Sequence, residues 1–344
     1  MSDFNYLLSV KLFKTCLEEQ QAVLKDFWLK ARELLRESGV AARPIPAAWK
    51  TLRHNYFSVL FIAVFHTLGL SAEQRRFYAR INHCLRSWVT ACDNLLDHEL
   101  KELISTDLPQ DAYVFKSVHT LLLTDRIFFS LLMDALEAGL ITADDITPLL
   151  NVSLAAISES GREEAEEENG VAETLSPEEI LQSVHRLKTG ALFAAPLSAP
   201  LKLGHLQLSD QRVQLARQGL IRFGIGCQIL DDISDLGMDL FYRKHNYLAS
   251  TIVHGGMSDE QRRLAALRTE DMSPDLIRRV ALYKRFPESA AQAMQRALAV
   301  LHEALDLLAA CGLPLSGAAR DTFVDILVQL FQDPDRLAGI RIPA

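Results

Sequence analysis

Asp231, Asp232, Asp235 and Asp239 crowd one short stretch, GCQILDDISDLGMDL, residues 226–240. Its periodicity is helical and its flanks are oily. Phe223, Ile225, Cys227, Ile229, Leu230 and Ile233 leave little of such a helix to face water. Residues four apart on a helix share a face, so Asp231, Asp235 and Asp239 stack in one stripe. Like charges at that spacing repel, and two readings are open: a solvated acidic face, or carboxylates at a cavity mouth that hold a metal. The apolar flanks favour the second. A further stretch, SWVTACDNLLDHEL (87–100), sets Asp93 and Asp97 four apart beside Trp88, Val89 and Leu96. Oxygen-only ligands suit Mg²⁺, which keeps several waters and takes one or two carboxylates plus substrate phosphates. A di-iron bundle would need Glu-x-x-His on two helices, and the sequence offers no such pair.

The elements that must position these carboxylates read as helices. No period-2 strand or Asn-Gly or Asp-Gly hairpin signal stands out. The spacing predicts helices near 8–38, 47–69, 72–105, 110–138, 143–160, 176–203, 209–239, 240–254, 258–269, 274–311 and 317–332. Pro and Gly fall mostly between them, and Pro196 and Pro200 end or kink the helix through 180–195. The acidic run SGREEAEEENGVAETLS (160–176) reads as a solvated loop. The expectation is one all-α domain over 1–344. Hydrophobic residues make up 49% of the 344, enough for a sizeable core, and the net charge is −8. Nucleic acid is then a poor partner, because phosphate contacts demand a basic face. Cys16, Cys84, Cys92, Cys227 and Cys311 are scattered, without a CxxC pair, and read as buried apolar residues in a reducing compartment. The N-terminus lacks the pattern of a signal peptide. The most apolar run, YFSVLFIAVF (56–65), is too short to span a bilayer. A soluble, cytoplasmic protein is expected.

The sequence resembles the polyprenyl synthetase (trans-isoprenyl diphosphate synthase) family, within the class I isoprenoid synthase superfamily. CDNLLDHE resembles the family's first aspartate-rich motif, and GCQILDDISD the second, with Gln228 just ahead of the aspartates. HRLKTGALF (185–193) resembles the Lys-Thr motif between them, with Lys188 and Thr189 in the matching positions. AWKTLRH (48–54) loosely resembles the early Gly-Gly-Lys-x-x-Arg-Pro motif and keeps Lys50 and Arg53. The resemblance implies a single large helical bundle around a central apolar cavity. It also implies prenyl diphosphate substrates, more than one Mg²⁺ bound with the diphosphate, and a homodimer. It assigns Asp93, Asp97 and Asp231 to Mg²⁺, with Asp235 in support, and Lys188 with Gln228 to the diphosphate or the ions.

The departures matter as much. The first motif has Cys92-Asp93 in place of a double aspartate, and its following Arg pair is replaced by HELKELIS, with Lys101 alone. Arg86 stands seven residues before Asp93, where the family has a His; a cation there can still meet a phosphate. After the second motif the text runs on as MDLFYRKHNYLAS, with Asp239, Arg243, Lys244, Asn246 and Tyr247. An Asp at that distance is similar to the third metal ligand of terpene cyclases, and the alternative is a plain helix-end charge. Trp88, five residues before Asp93, is either bulk that limits the chain to ten or fifteen carbons or an ordinary core Trp. His83, His98 and His245 read as surface or satisfied histidines. The leading expectation is a Mg²⁺-dependent prenyltransferase. Its rivals are a terpene synthase needing no isopentenyl diphosphate, a head-to-head coupling enzyme, and a catalytically silent subunit. In the leading expectation the carboxylates of 93–97 and 231–239 face each other across a pocket mouth.

Overall fold

The computed structural model describes residues 3–98, 100–255, 258–267, 273, 277, 280–315 and 317–332. Its elements are α1 (Asp3–Ser9), α2 (Lys11–Leu35), α3 (Leu52–Thr67), α4 (Ala72–Leu96), α5 (Tyr113–Glu137) and α6 (Ala143–Glu167). Then α7 (Pro177–Glu179) leads through a π-helical stretch (Ile180–Gly190) into α8 (Ala191–Ala194). They are followed by α9 (Ser198–Lys202), α10 (Gln211–Tyr242), α11 (Tyr247–Gly255), α12 (Ser258–Ala265), α13 (Pro287–Ala310) and α14 (Ala318–Gln332). Short 3₁₀ turns occupy Ala47–Lys50, Ala195–Leu197 and Leu282–Arg285. Among the described residues no strand occurs; the β-type pairing is an isolated bridge between Ala42 and Thr106. The all-α expectation holds.

The chain folds into two compact units, Met1–Leu154 with Pro196–Asp210, and Ala155–Ala195 with Gln211–Leu337. In the first, α2 packs on α3, α4 and α5, and α4 on α5. Its core holds Phe13, Phe27, Leu60, Phe65, Tyr78, Ile81 and Phe128. A capping box starts α4: the Ser71 hydroxyl accepts from the Gln74 amide, and the Gln74 side chain accepts from the Ser71 amide. In the second unit α10 is the spine, packed along α13 and against the π-helical stretch, α8 and α11. Phe223, Ile229, Leu230, Leu301, Leu305 and Phe323 are buried there.

Several boundaries differ from the sequence expectation. α4 stops at Leu96 instead of running to 105, because the buried Asn94 side chain captures the backbone of Lys101. Asn94 Oδ1 accepts from the Lys101 amide at 2.8 Å, and its Nδ2 donates to the Lys101 carbonyl at 3.2 Å. His98 takes a left-handed φ of 53° as the chain turns. The acidic run at 160–176 is helical through Glu167, since Glu is a good helix former and basic side chains neutralise its charges. The predicted 176–203 helix is broken into α, π and 3₁₀ pieces, with Pro196 and Pro200 at the break. α10 continues to Tyr242, and a turn with Arg243 at φ 55° separates it from α11. The predicted helix over 8–38 is two, and that over 274–311 is α13 from Pro287; residues 274–276 and 278–279 lie outside the described residues.

Candidate functional site

The carboxylate stripe lies on continuous helix, as its spacing requires. α10 carries Asp231, half-buried; Asp235, exposed; and Asp239, part-buried. Burial and the neighbouring Asp232 and Asp235 push the Asp239 carboxyl well above the usual range. Asn246 Nδ2 donates to Asp239 Oδ2 at 2.7 Å, a partial offset. Asp232, the fourth carboxylate, points inward and is 2% exposed. It spends its oxygens on protein donors: His185 Nε2 at 2.9 Å, Gln228 Nε2 at 2.9 Å and the Tyr247 amide at 2.5 Å. Its backbone carbonyl accepts from Asn246 Nδ2 at 2.7 Å.

Facing this stripe within the same unit is the π-helical stretch that carries His185, Lys188 and Thr189. Single π-helical segments inside α-helices recur at functional sites, since the wider turn re-aims side chains. Thr189 Oγ1 donates to Gln228 Oε1. Ser160 donates to the Lys188 carbonyl at 2.7 Å. Gly224 lets the two backbones approach: a Cβ there would sit 2.6 Å from the Thr189 carbonyl oxygen. Lys188 Nζ lies 2.7 Å from Glu164 and 3.2 Å from Glu167, both on α6. Burial alone would push this ammonium down, but Glu164 and Glu167 outweigh it and hold it above its ordinary value. Lys244 Nζ approaches Glu164 at 3.7 Å. Arg243 turns to the Asn169 carbonyl at 2.9 Å, and Tyr247 is buried with its ring 6.2 Å from that of His185.

In the other unit, Asp93 is half-buried in the last turn of α4 and Asp97 caps its C-terminus, its amide bonded to the Asp93 carbonyl at 2.8 Å. A helix C-terminus carries partial negative charge, and the last turn of α4 holds no basic residue. Arg86 is half-buried on the same helix, where burial lowers its guanidinium from its ordinary value; it stays charged. Burial, with Arg86 next, pushes His54 down to about 4 and His83 down to about 3. His83 departs from the expectation of a surface or satisfied histidine: it is 3% exposed and, among the described residues, neither ring nitrogen has a hydrogen bond. His98 is exposed, as expected, with Tyr113 at 3.4 Å. His245 is half-buried, and burial lowers its imidazole. Lys50 and Arg53 are exposed at the entry to α3. The edge of Trp88 meets Phe128, with centroids 5.1 Å apart. None of the five cysteines forms a disulfide; Cys92 is half-buried and the others are buried.

The residues that sequence reasoning missed are His185, Glu164 and Glu167, and it named Asn246 without giving it a role. His185 and Asn246 stand inside the quoted motifs, but their partners lie 47 and 14 residues away, beyond any local pattern. As a home for Mg²⁺ the donor set fits. Asp231, Asp235 and Asp239 are hard oxygen donors on one helix face, and the repulsion that raises Asp239 is what a divalent cation relieves. Among the described residues no three His, Cys, Asp or Glu side chains converge as a ready-made metal cage. Mg²⁺ tolerates that, because waters and phosphate oxygens complete its shell.

No protein-family model matches the sequence, and no curated protein matches it. Solved structures do. A polyprenyl synthase from Caulobacter crescentus CB15, complexed with calcium and isoprenyl diphosphate, superposes with a TM-score of 0.64 at 14% identity, covering 93% of this chain and 96% of that one. A geranylgeranyl pyrophosphate synthase from Bacteroides thetaiotaomicron gives 0.59 at 22% identity, covering 93% and 98%. A geranylgeranyl pyrophosphate synthetase from the archaeon Geoglobus acetivorans gives 0.58 at 18% identity, covering 94% and 99%. Among the described residues no helix is long and apolar enough to cross a membrane. Over nearly its whole length, the chain has the all-α fold of the polyprenyl diphosphate synthases.

Proposed function

We propose that this protein is a Mg²⁺-dependent enzyme that ionises an allylic prenyl diphosphate and transfers the prenyl group to isopentenyl diphosphate. The observation that carries the reading is the pairing, inside one unit and on this fold, of the Asp231–Asp235–Asp239 stripe with a π-helical turn bearing Lys188 and Thr189. Asp93 and Asp97 are the second carboxylate set. Bound Mg²⁺ would supply Lewis-acid charge to the diphosphate oxygens. Carbon–oxygen cleavage builds negative charge on the leaving diphosphate, and Lys188 would donate to it as a compact point charge. The Thr189–Gln228 bond fixes the turn that presents this lysine. Arg86, Lys50 and Arg53 would hold the second diphosphate. Trp88, braced on Phe128, is the bulk that would limit the hydrocarbon to ten or fifteen carbons.

One observation favours a second reading, a terpene synthase that cyclises or quenches the cation. Asp239 belongs to the stripe and feels Asp232 and Asp235, as a third metal ligand would, while Lys101 is the lone cation after the first motif. A product assay separates the two. Purified protein with Mg²⁺ receives ten-, fifteen- and twenty-carbon allylic diphosphates, each with and without isopentenyl diphosphate. A longer diphosphate formed only with isopentenyl diphosphate is the expected result. A hydrocarbon or alcohol formed without it establishes the second reading. No turnover on any substrate overturns both.

A further inference from the structure

His185 has no part in the motif-level account, yet it sits at a structural crossing. Its Nε2 lies 2.9 Å from Asp232 Oδ2, with both side chains at 3% exposure or less. An ionised carboxylate only accepts hydrogen bonds, so Nε2 carries the hydrogen. Among the described residues Nδ1 is buried without a partner, so there the contact with Asp232 is the ring's one hydrogen bond. Asp232 in turn receives Gln228, which holds Thr189, and the amide of Tyr247. Its carbonyl receives Asn246, which also holds Asp239. One buried pair therefore ties together the π-helical turn of Lys188, the α10 stripe and the turn into α11. Asp232 sits directly beside Asp231, and both of its oxygens already accept from protein donors.

We propose that His185 is a positioning residue, which through Asp232 sets the register between Lys188 and the metal-holding stripe and so sets the Mg²⁺ requirement for binding a diphosphate. This rests on the reading of the site given above. Partners one shell behind ligating groups typically change metal affinity by about 10–100-fold when removed. A purely architectural role predicts loss of stability alone.

The test is calorimetric titration of inorganic pyrophosphate across a series of Mg²⁺ concentrations, well below each variant's Tm. His185→Leu keeps bulk and loses the donor. His185→Gln returns an N–H near the Nε2 position. His185→Asn, whose amide stops short of Asp232, replaces the leucine variant if that one does not fold. Glu260→Gln is a stability control, since Glu260 caps the start of α13 through the Glu288 amide at 3.0 Å and the Ser289 amide at 3.1 Å, away from the stripe. The expected result is a rise of about tenfold in the Mg²⁺ needed for half-maximal binding in His185→Leu. Recovery in His185→Gln and an unshifted requirement in Glu260→Gln complete it. An unshifted His185→Leu, an unrescued His185→Gln, or an equal shift in Glu260→Gln overturns the proposal. Asp231→Ala separates the two levels: binding that survives it overturns the reading of the site, whereas its loss beside an unshifted His185→Leu overturns only the role of His185.

Discussion

The two carboxylate sets are built in opposite ways. Asp231, Asp235 and Asp239 lie on a helix that continues past them, with Asp232, His185, Gln228 and Asn246 bracing them from behind. Asp93 and Asp97 lie where a helix stops, and their geometry depends on a loop held by the side chain of Asn94. One set is backed by a buried polar network within its helix pair, the other stands at a helix end that Asn94 helps to turn. A braced stripe keeps its spacing when empty, and a helix end can adjust when a cation arrives. The difference implies that damage to the network and damage to the loop will show up in different measurements.

The largest effect expected is the simplest. Asp231→Ala and Asp93→Ala should each lower turnover by about a hundredfold or more, the scale of losing one group that stabilises a developing anion. The fold should persist, because neither residue is buried in the core. Circular dichroism beside the product assay checks both halves. Normal turnover in either variant removes that set from the chemistry and breaks the comparison.

The start of α4 offers a different test, of an ion pair. There Arg75 donates to both oxygens of Glu19, at 2.7 and 3.2 Å, and His66 lies 3.1 Å away. Burial would raise the Glu19 carboxyl, but these partners outweigh it and carry it down to about 2. A carboxylate depressed in the folded state contributes stability that is present above its ordinary value and lost as pH falls through the folded one. The window is therefore from about 4.5 down to about 2. Glu19→Gln should flatten the acid limb of a urea-melt series across that window. A limb that stays as steep places the acid sensitivity elsewhere.

Legibility in the sequence follows from the range of each interaction. The helices and the stripe were readable, because i, i+4 spacing is local and α10 carries no Pro. The end of α4 was not, since Leu100, Leu103 and Ile104 continue an apolar pattern past the true stop. A polar side chain, Asn94, overrides it. The π-helical turn has no composition signature. The run at 160–176 looked solvated because its charge was counted without Lys188 and Lys244, which meet Glu164 from more than twenty residues away. The motif residues were found by type and order. Their supports were hidden by distance along the chain.

Gly224→Ala probes the braced set at its tightest point. The new Cβ would lie 2.6 Å from the Thr189 carbonyl oxygen and 3.0 Å from Phe193 Cδ2, so backbone must shift. Overpacking of this kind costs about 1–3 kcal/mol. The shift falls on the turn that presents Lys188, so pyrophosphate binding should weaken along with the loss in Tm. A lower Tm with binding unchanged would show that the turn tolerates displacement, and would blur the contrast with the loop after α4.

The finest probe sets two asparagines side by side. Asn94 and Asn246 are both buried, at 3% and 2% exposure, and each ties a turn to a helix that bears aspartates. Asn94 holds the backbone of Lys101 through two bonds. Asn246 holds the Asp232 carbonyl, the Asp239 carboxylate and the Ala249 amide. Removing either deletes the side-chain hydrogen bonds of a buried amide, and each Ala variant should lose on the order of 1–2 kcal/mol. The loss should be read out differently. Asn246→Ala frees one carboxylate of a stripe whose other supports remain, so hydrogen exchange should quicken at the start of α11 while α10 stays protected. Asn94→Ala removes both bonds that tie the backbone of Lys101 to α4, so exchange should quicken at Lys101 and the last turn of α4 should fray. Equal, local responses in the two variants would mean that the helix end is as firmly held as the stripe, and that the contrast between the sets lies in their ligands alone.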